Sequence, residues 1–327
     1  MLREIDNRTR LVELKSQNDQ ALNEVFEGVR EVAFLGFPAH ENVGDSMIAL
    51  GAFDYFAGHD IAVRYLGAGM SADLEWLREW SRRSGTAVVH IGGGNFGTLW
   101  PGEHAFRLAT IAALPDARII QLPQSLHFSD ERRSEETRAT VSRHSNYSLL
   151  VRDRQSLSVA QKFGVPATLA PDMAFRLPML KRHESEVDVL VLSRGDREAR
   201  GKQLEGIESP NVRVTDWVRS HRPERALNRL VCKLDGRRAM TGTLAAYLAG
   251  HRLRRGNRVL SAGKVVVTDR LHVHILCLLL GIPHALADSI DGKVFALRDA
   301  WTASMDGVAL ITEDQPVQAA IESLGLI

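Results

Sequence analysis

Short runs rich in Val, Ile and Leu recur along this chain, each followed by a longer amphipathic stretch. That alternation leaves few folds open. The clearest runs are residues 32–37, 61–66, 86–91, 118–122 and 147–151, and between them 46–56, 74–80, 105–113, 131–144 and 153–163 read as helices. Strands apolar nearly from end to end are buried on both faces, so the expectation is a parallel sheet covered by helices on each side. The pattern restarts after a polar linker, 181–186, with Pro178 just before it. Strands are then expected at 187–192, 212–215, 265–267 and 283–287, and helices at 244–260, 270–280 and 312–326. Leu227, Leu230, Val231 and Leu234 add a further helical stripe. The fold class is therefore α/β, with two Rossmann-like domains facing a cleft. Residues 1–180 form the first, 186–312 the second, and 313–327 a closing helix. No short-period repeat is present.

Composition narrows the function classes. Of 327 residues, 44% are hydrophobic and 25% charged, as in ordinary folded soluble proteins, which sets aside disordered, collagenous and coiled-coil architectures. Lys and Arg number 41 against 40 Asp and Glu, so no whole-molecule grip on nucleic acid is expected. Cys232 and Cys277 are too few for a disulfide framework or a thiolate metal site, and both fall in apolar helical patterns where buried thiols are expected. The first twenty residues carry Arg3, Glu4, Asp6, Arg8, Arg10, Glu13 and Lys15, without the apolar core of a signal peptide. The longest apolar run, 275–280, falls far short of the roughly 20 residues that cross a bilayer. A cytoplasmic location, in a reducing compartment, is the expectation.

Polar clusters follow the expected strands, where ligands of such sheets gather. After the first comes Gly36-Phe-Pro-Ala-His-Glu-Asn-Val-Gly-Asp45, either a turn with Asp45 as helix N-cap or a place where Asn42 and Asp45 reach a sugar hydroxyl or orient a nucleophile. The glycine spacing is not that of dinucleotide binding. His90-Ile-Gly-Gly-Gly-Asn95 is a tight turn, or a place where Gly93, Gly94 and Asn95 let a ligand press on the backbone. In Gln121-Leu-Pro-Gln-Ser-Leu-His127, Gln124, Ser125 and His127 are loop polarity, or ligand contacts with His127 as an acid or base. Arg152 points into the cleft, or pairs with Asp153 or Asp172 to hold the turn, and the structural role is the favoured one. Arg194, between a strand and Gly195, suits an anion or pairs with Asp196.

The sharpest cluster is Val267-Thr-Asp-Arg-Leu-His272. With Asp269 as N-cap, Arg270, Leu271 and His272 form a first helical turn whose N–H groups lack internal partners and whose dipole end is positive. An anion is welcome there; the alternative is a capped helix whose Arg and His are surface groups. His274 falls on nearly the opposite helix face from His272, so the pair does not chelate one metal, and no metal is expected. A basic stretch over 219–258 opposes eleven Arg and Lys to Glu224 and Asp235. It is a solvated face, or it meets an anionic membrane surface or a diphosphate-bearing acceptor.

Taken in order, Asn42-Val-Gly-Asp45, Gly92-Gly-Gly-Asn95, Gln121-Leu-Pro-Gln-Ser125, Val151-Arg-Asp153, Pro171-Asp172, Arg194, Asp269-Arg-Leu-His272 and Gly281-Ile-Pro283 resemble the polysaccharide pyruvyl transferase family. The resemblance implies a fold similar to B-type glycosyltransferases. It implies transfer of the enolpyruvyl unit of phosphoenolpyruvate onto two hydroxyls of a sugar, in a cell-surface polysaccharide or its lipid-linked precursor, to give a pyruvate ketal. Phosphoenolpyruvate is then the donor substrate, with no cofactor. Its binding residues carry over to Arg270, Leu271, His272 and Arg194. The acceptor side falls to the first half, with Asp45, Asn95 and His127. Asp45 or His127 would be the base and His272 the acid. The loop between Gly36 and Asn42 is longer than the family's usual turn, and 219–258 matches none of its motifs. The competing expectations are a nucleotide-sugar glycosyltransferase of the same architecture and a non-catalytic binding protein.

Overall fold

In the computed structural model, residues 6–193, 206–217 and 222–325 are described. The chain opens with a helix the sequence pattern did not announce, α1 (Arg8–Val25). It continues through β1 (Glu31–Phe37), α2 (Val43–Gly58), β2 (Ala62–Ala68), α3 (Leu74–Trp80), β3 (Thr86–His90), β4 (Gly93–Gly97) and α4 (Pro101–Ala113). Then come β5 (Ile119–His127), α5 (Glu131–Val141), β6 (Tyr147–Val151), α6 (Arg154–Lys162), β7 (Ala167–Leu169) and a 3-10 turn, Met173–Arg176. The second half holds β8 (Val187–Leu192), β9 (Val212–Thr215), α7 (Arg222–Lys233), α8 (Ala239–Ser261), β10 (Gly263–Thr268) and α9 (Leu271–Leu280). It ends with β11 (His284–Leu286), α10 (Lys293–Leu297), β12 (Val308–Leu310) and α11 (Val317–Ser323), a closing helix shorter than expected.

Two sheets result, and the described pairings are all parallel. The first has the order β2-β1-β3-β5-β6-β7, with β4 beside β5; the second has the order β12-β11-β10-β8-β9. In each, the chain steps outward by one strand, then returns across its first strand. The order therefore reverses between β1 and β3, and again between β8 and β10. Such reversals leave a crevice at the carboxyl ends of the strands, where ligands of doubly wound sheets bind.

Central strands are buried throughout, as their continuous apolar sequence requires: β3 is buried at every position and β5 at all but its last. β5 runs on through Gln124, Ser125 and His127, where the sequence pattern ends the strand at residue 122. Pro123 has no N–H for the ladder, and the register with β6 shifts between Gln121 and Gln124. Beyond that irregularity β5 pairs with β4, the Gly-Gly-Asn-Phe-Gly segment expected to be a turn.

Packing runs across the 181–186 segment. Ala21, Leu22 and Val25 of α1 join the core of the first sheet, whereas Leu11 and Leu14 of the same helix pack with the second. Likewise α8 places Ala245, Leu248 and Ala249 against the first core and Leu260 against the second. Of the cysteines, Cys277 is buried as expected; Cys232 is exposed, because it lies on the outer side of α7. Among the described residues, no helix is long and apolar enough to cross a membrane.

Candidate active site

A cavity of about 340 Å³ opens where the reversal points of both sheets meet. The segment after β1 supplies His40, Glu41, Asn42 and Asp45; the segment after β3 supplies Gly94 and Asn95. From the second half come Trp217, Arg270, Leu271, His272 and Lys293. Arg152, Trp100 and Glu103 complete the wall.

The first wall is set by α2. Its N-cap is Asn42, whose Oδ1 accepts from the Gly44 N–H at 2.9 Å, so the expected Asp45 cap is incorrect. Asn42 wins because the cap needs extended backbone before the first helical residue, and Asp45 is already in the first turn. Asp45 is thereby left in the cavity wall, 3.5 Å from His40 Nε2. Gly44 lies against the imidazole of His272: a Cβ there would fall 2.5 Å from Nδ1. A side chain at 44 would evict the histidine.

Asn95 is held from behind. Arg107 Nη2 donates to its Oδ1 at 2.9 Å, Arg107 Nε donates to Gln121 Oε1 at 2.7 Å, and Gln121 Nε2 donates to the Ile91 carbonyl at 2.8 Å. Arg107 is a buried cation over the Phe96 ring, and burial lowers its pKa to about 10.

Arg152 does pair with Asp172, at 2.6 Å through Nη1. Its Nε donates to Ser125 Oγ at 2.9 Å, and that hydroxyl donates to Asp153 Oδ2 at 2.6 Å. The third nitrogen, Nη2, faces Gly94, where an added Cβ would lie 3.0 Å from it and 3.1 Å from Lys293 Nζ. Glycine at 94 thus keeps two cationic groups open to the cavity.

The second sheet contributes the start of α9. The boundary residue is Arg270, not Asp269, and Thr268 Oγ1 accepts the Arg270 N–H at 3.1 Å. The N–H groups of Leu271 and His272 precede the first intrahelical bond, made by Val273 to the Arg270 carbonyl. Arg270 Nη2 lies 3.0 Å from both carboxylate oxygens of Asp216. His272 Nε2 is 3.5 Å from Asp172 Oδ2, within ion-pair range and long for a hydrogen bond. Burial alone would raise the Asp172 pKa. His272, Arg152 and the Ala174 N–H outweigh it and hold the carboxyl well below the usual range. Lys293, the first residue of α10, is 3.1 Å from Asp291. The indole N–H of Trp217 is buried without a protein partner among the described residues.

Of the residues expected at the site, Asn42, Asp45, Gly94, Asn95, Arg270, Leu271 and His272 line one cavity. Gly93 packs on Ile48, and Ser125 stands behind Arg152. Gln124 is buried and bonds the Ser125 carbonyl, and neither it nor His127 is part of the lining. Arg194 lies outside the described residues, as does Arg219. His274 turns away from the cavity, to His284 and Thr302. Sequence reasoning missed Lys293, Trp100 and Trp217, and of the two roles it weighed for Arg152 it favoured the structural one, whereas the residue both pairs with Asp172 and lines the cavity. A signal for Lys293 existed: it follows Gly292 at a helix start beyond a strand's carboxyl end, the same context that marked Arg270.

Fold and cavity together define a doubly wound α/β protein with a cation-rich pocket at paired strand-order reversals. The family model described as polysaccharide pyruvyl transferase matches residues 42–288. "Pyruvyl transferase 1" of Schizosaccharomyces pombe is 30% identical over 312 residues, 88% of this chain and 74% of that one. "Putative pyruvyl transferase EpsO" of Bacillus subtilis is 27% identical over 325 residues, 94% of this chain and 96% of that one. In overall fold, the crystal structure of an uncharacterized protein from Klebsiella pneumoniae superposes with a TM-score of 0.62 at 19% identity, covering 91% of this chain and 98% of that one. The chain belongs to the polysaccharide pyruvyl transferase family, and it is a pyruvyl transferase acting on polysaccharide.

Proposed function

We propose that the chain transfers the pyruvyl unit of phosphoenolpyruvate to two hydroxyls of one sugar, forming a cyclic ketal. The acceptor belongs to a polysaccharide or its lipid-linked precursor. The observation that carries this reading is the convergence of Arg152, Arg270, Lys293 and the first-turn N–H groups of α9 on one small cavity. A donor with a phosphate and a carboxylate asks for cationic groups at two places, and forked guanidinium groups suit both anions. Arg194, outside the described residues, would add to this donor side. The acceptor then lies toward Asp45, Asn95 and Glu103, with Trp100 offering an apolar face to a sugar ring.

In this reading, His272 gives its proton to the methylene carbon, which becomes the methyl group. Asp172 beside Nε2 stabilises the imidazolium, and glycine at 44 makes room for the ring against α2. The electron-poor C2 is attacked by the first sugar hydroxyl, whose proton passes to Asp45. The bond from C2 to the phosphate oxygen breaks, the second hydroxyl closes the ring, and its proton leaves with phosphate. His127 is not in the cavity lining, so Asp45 is the base in this scheme. Two Rossmann-like lobes about a cleft, as in B-type glycosyltransferases, are the arrangement we assign to the paired sheets. The steps balance without cofactor or metal, and activity should survive a chelator. Phosphoenolpyruvate is a cytoplasmic metabolite, so we place the enzyme there.

Donor protection tests the reading. Phosphoenolpyruvate at 100 times its dissociation constant should stabilise the fold by about 2.7 kcal/mol, and phosphate should be released only when a suitable glycoside is added. Protection by a nucleotide sugar, with none by phosphoenolpyruvate, would replace this reading with a glycosyltransferase.

A further inference from the structure

Residues 222–258 carry ten Arg and Lys against Glu224 and Asp235, whereas the whole chain balances 41 against 40. The rest of the molecule is therefore net acidic, and the basic charge is gathered on the α7–α8 hairpin. Its distribution is not random. Arg222, Arg225, Arg229 and Lys233 fall on one stripe of α7, all exposed, while Glu224 and Val231 are buried on the opposite side. On α8, Met240, Tyr247, Arg254 and Arg258 form a second exposed stripe, with Arg254 over the Tyr247 ring. Among the described residues, none of these six cations makes an ion pair. Large apolar side chains stand out between them: Leu230, Met240 and Tyr247 are 46%, 52% and 58% exposed.

Of the other four, Arg237 and Arg238 are exposed, with Arg237 paired to Asp235 and Asp73, whereas Arg252 and Arg255 point inward and serve the site. Arg252 and Arg255 flank the buried Glu224 carboxylate at 3.2 and 3.3 Å. Arg252 Nη1 donates to the Pro38 carbonyl at 3.1 Å, Arg255 Nη2 to the Glu41 carbonyl at 2.6 Å and Asn228 Nδ2 to the Ala39 carbonyl at 2.7 Å. The inner side of the hairpin thus grips the 38–42 loop that walls the cavity, and the outer side carries unpaired cations interspersed with apolar groups.

We infer that the α7–α8 hairpin is a docking surface for an anionic lipid bilayer, holding the cavity beside the membrane so that its acceptor is presented from the lipid surface. Unpaired Arg and Lys attract anionic headgroups, and the interspersed Leu, Met and Tyr enter the interface while the long cationic stems lie along it. A nucleic-acid surface fits less well, because it would stack bases on several aromatic rings and only Tyr247 stands here. The docking surface rests on its own charge pattern; the role given to the acceptor rests on the proposed pyruvyl transfer.

Vesicle sedimentation of the full chain tests this. Binding is expected to phosphatidylcholine vesicles containing phosphatidylglycerol, not to phosphatidylcholine alone, and should weaken as salt rises. The triple variant Arg225→Glu, Arg229→Glu, Lys233→Glu should bind at least about tenfold more weakly. The double variant Leu230→Ser, Tyr247→Ser should also lose binding, which charge attraction alone does not predict. Unfolding midpoints confirm that each variant is folded, and Arg229→Gln alone replaces the triple variant if it is not. No binding to phosphatidylglycerol vesicles, binding indifferent to charge reversal, or tighter binding to an RNA homopolymer would overturn the inference. Phosphoenolpyruvate protection measured on the same samples separates this failure from failure of the proposed reaction, since the variants leave the cavity untouched.

Discussion

His272 takes its character from a carboxylate that solvent does not reach. Asp172 is fully buried and shared between Arg152 and His272, so it stays ionised and faces the imidazole as a fixed negative charge. Replacing His272 with Ala should lower turnover by roughly 10²–10⁴-fold while the unfolding midpoint barely changes, as general acid–base loss dictates. Asp172→Asn should act on both properties. It strands the buried Arg152 cation, which costs about 3 kcal/mol, and it lowers turnover by removing the carboxylate that faces the His272 imidazole. Since the folded pKa of Asp172 is depressed, its contribution to stability is present above the ordinary carboxyl range. That contribution is lost as pH falls through the folded value, below about pH 3.9. Stability and turnover both unchanged in Asp172→Asn would deny it the positioning role. Gly94→Ala places a methyl group between Arg152 Nη2 and Lys293 Nζ. We expect the KM for phosphoenolpyruvate to rise about tenfold, a loss of roughly 1.4 kcal/mol in donor binding, with little effect on folding.

At the scale of elements, the α7–α8 hairpin couples a surface to a site. Arg252 is fully buried, and it ties Glu224 to the loop after β1. Arg252→Met leaves that carboxylate with Arg255 and His251 as its remaining partners. A loss of about 2 kcal/mol is expected, read as a lower urea midpoint, with faster amide exchange over 38–46 than elsewhere. The start of α9 was legible in the sequence because a compact apolar strand passes straight into a polar run, and only tertiary contact places a ligand there. Its cap was misread: Asp269 has the favoured residue type, but the Thr268 hydroxyl is the group that reaches the Arg270 N–H. β4 was illegible for a different reason. Gly93-Gly-Asn-Phe-Gly97 has almost no strand propensity, and it becomes one only because the bulge at Pro123 turns β5 toward it. Helix α1 has a polar majority, and its few apolar positions acquire meaning only when both cores are in place.

Over the whole molecule, the paired sheets were legible because buried parallel strands leave a continuous apolar signature. The sharing of α1, α2 and α8 between cores was not, since a helix does not record which sheet its two faces will meet. Four of the buried histidines, two in each half of the chain, give that shared architecture a measurable signature. Burial lowers the pKa of His90 to about 3 and those of His104 and His284 to about 4, and it drives His274 well below 6.5. The second pair is also locked by its hydrogen bonds. His284 Nδ1 donates to the Ile282 carbonyl at 2.9 Å, which leaves its Nε2 to accept from His274 Nδ1 at 2.6 Å. His274 Nε2 then accepts from the Thr302 hydroxyl at 2.8 Å. A further proton on His284 would set two donors head to head. Unfolded, these rings bind protons below about pH 6.5; folded, they do not until well below that. Stability should thus be full above pH 6.5 and fall as pH drops toward 4, by roughly 1.4 kcal/mol per pH unit for each histidine concerned. This window lies above the one set by Asp172, so urea midpoints at pH 7.5, 6 and 5 isolate it. Because the histidines sit in both halves of the chain and helices bind the cores together, the loss should appear as one cooperative transition moving to lower urea. Two separating transitions would mean that the lobes unfold independently, and an unmoved midpoint would mean that the rings titrate as they do in water.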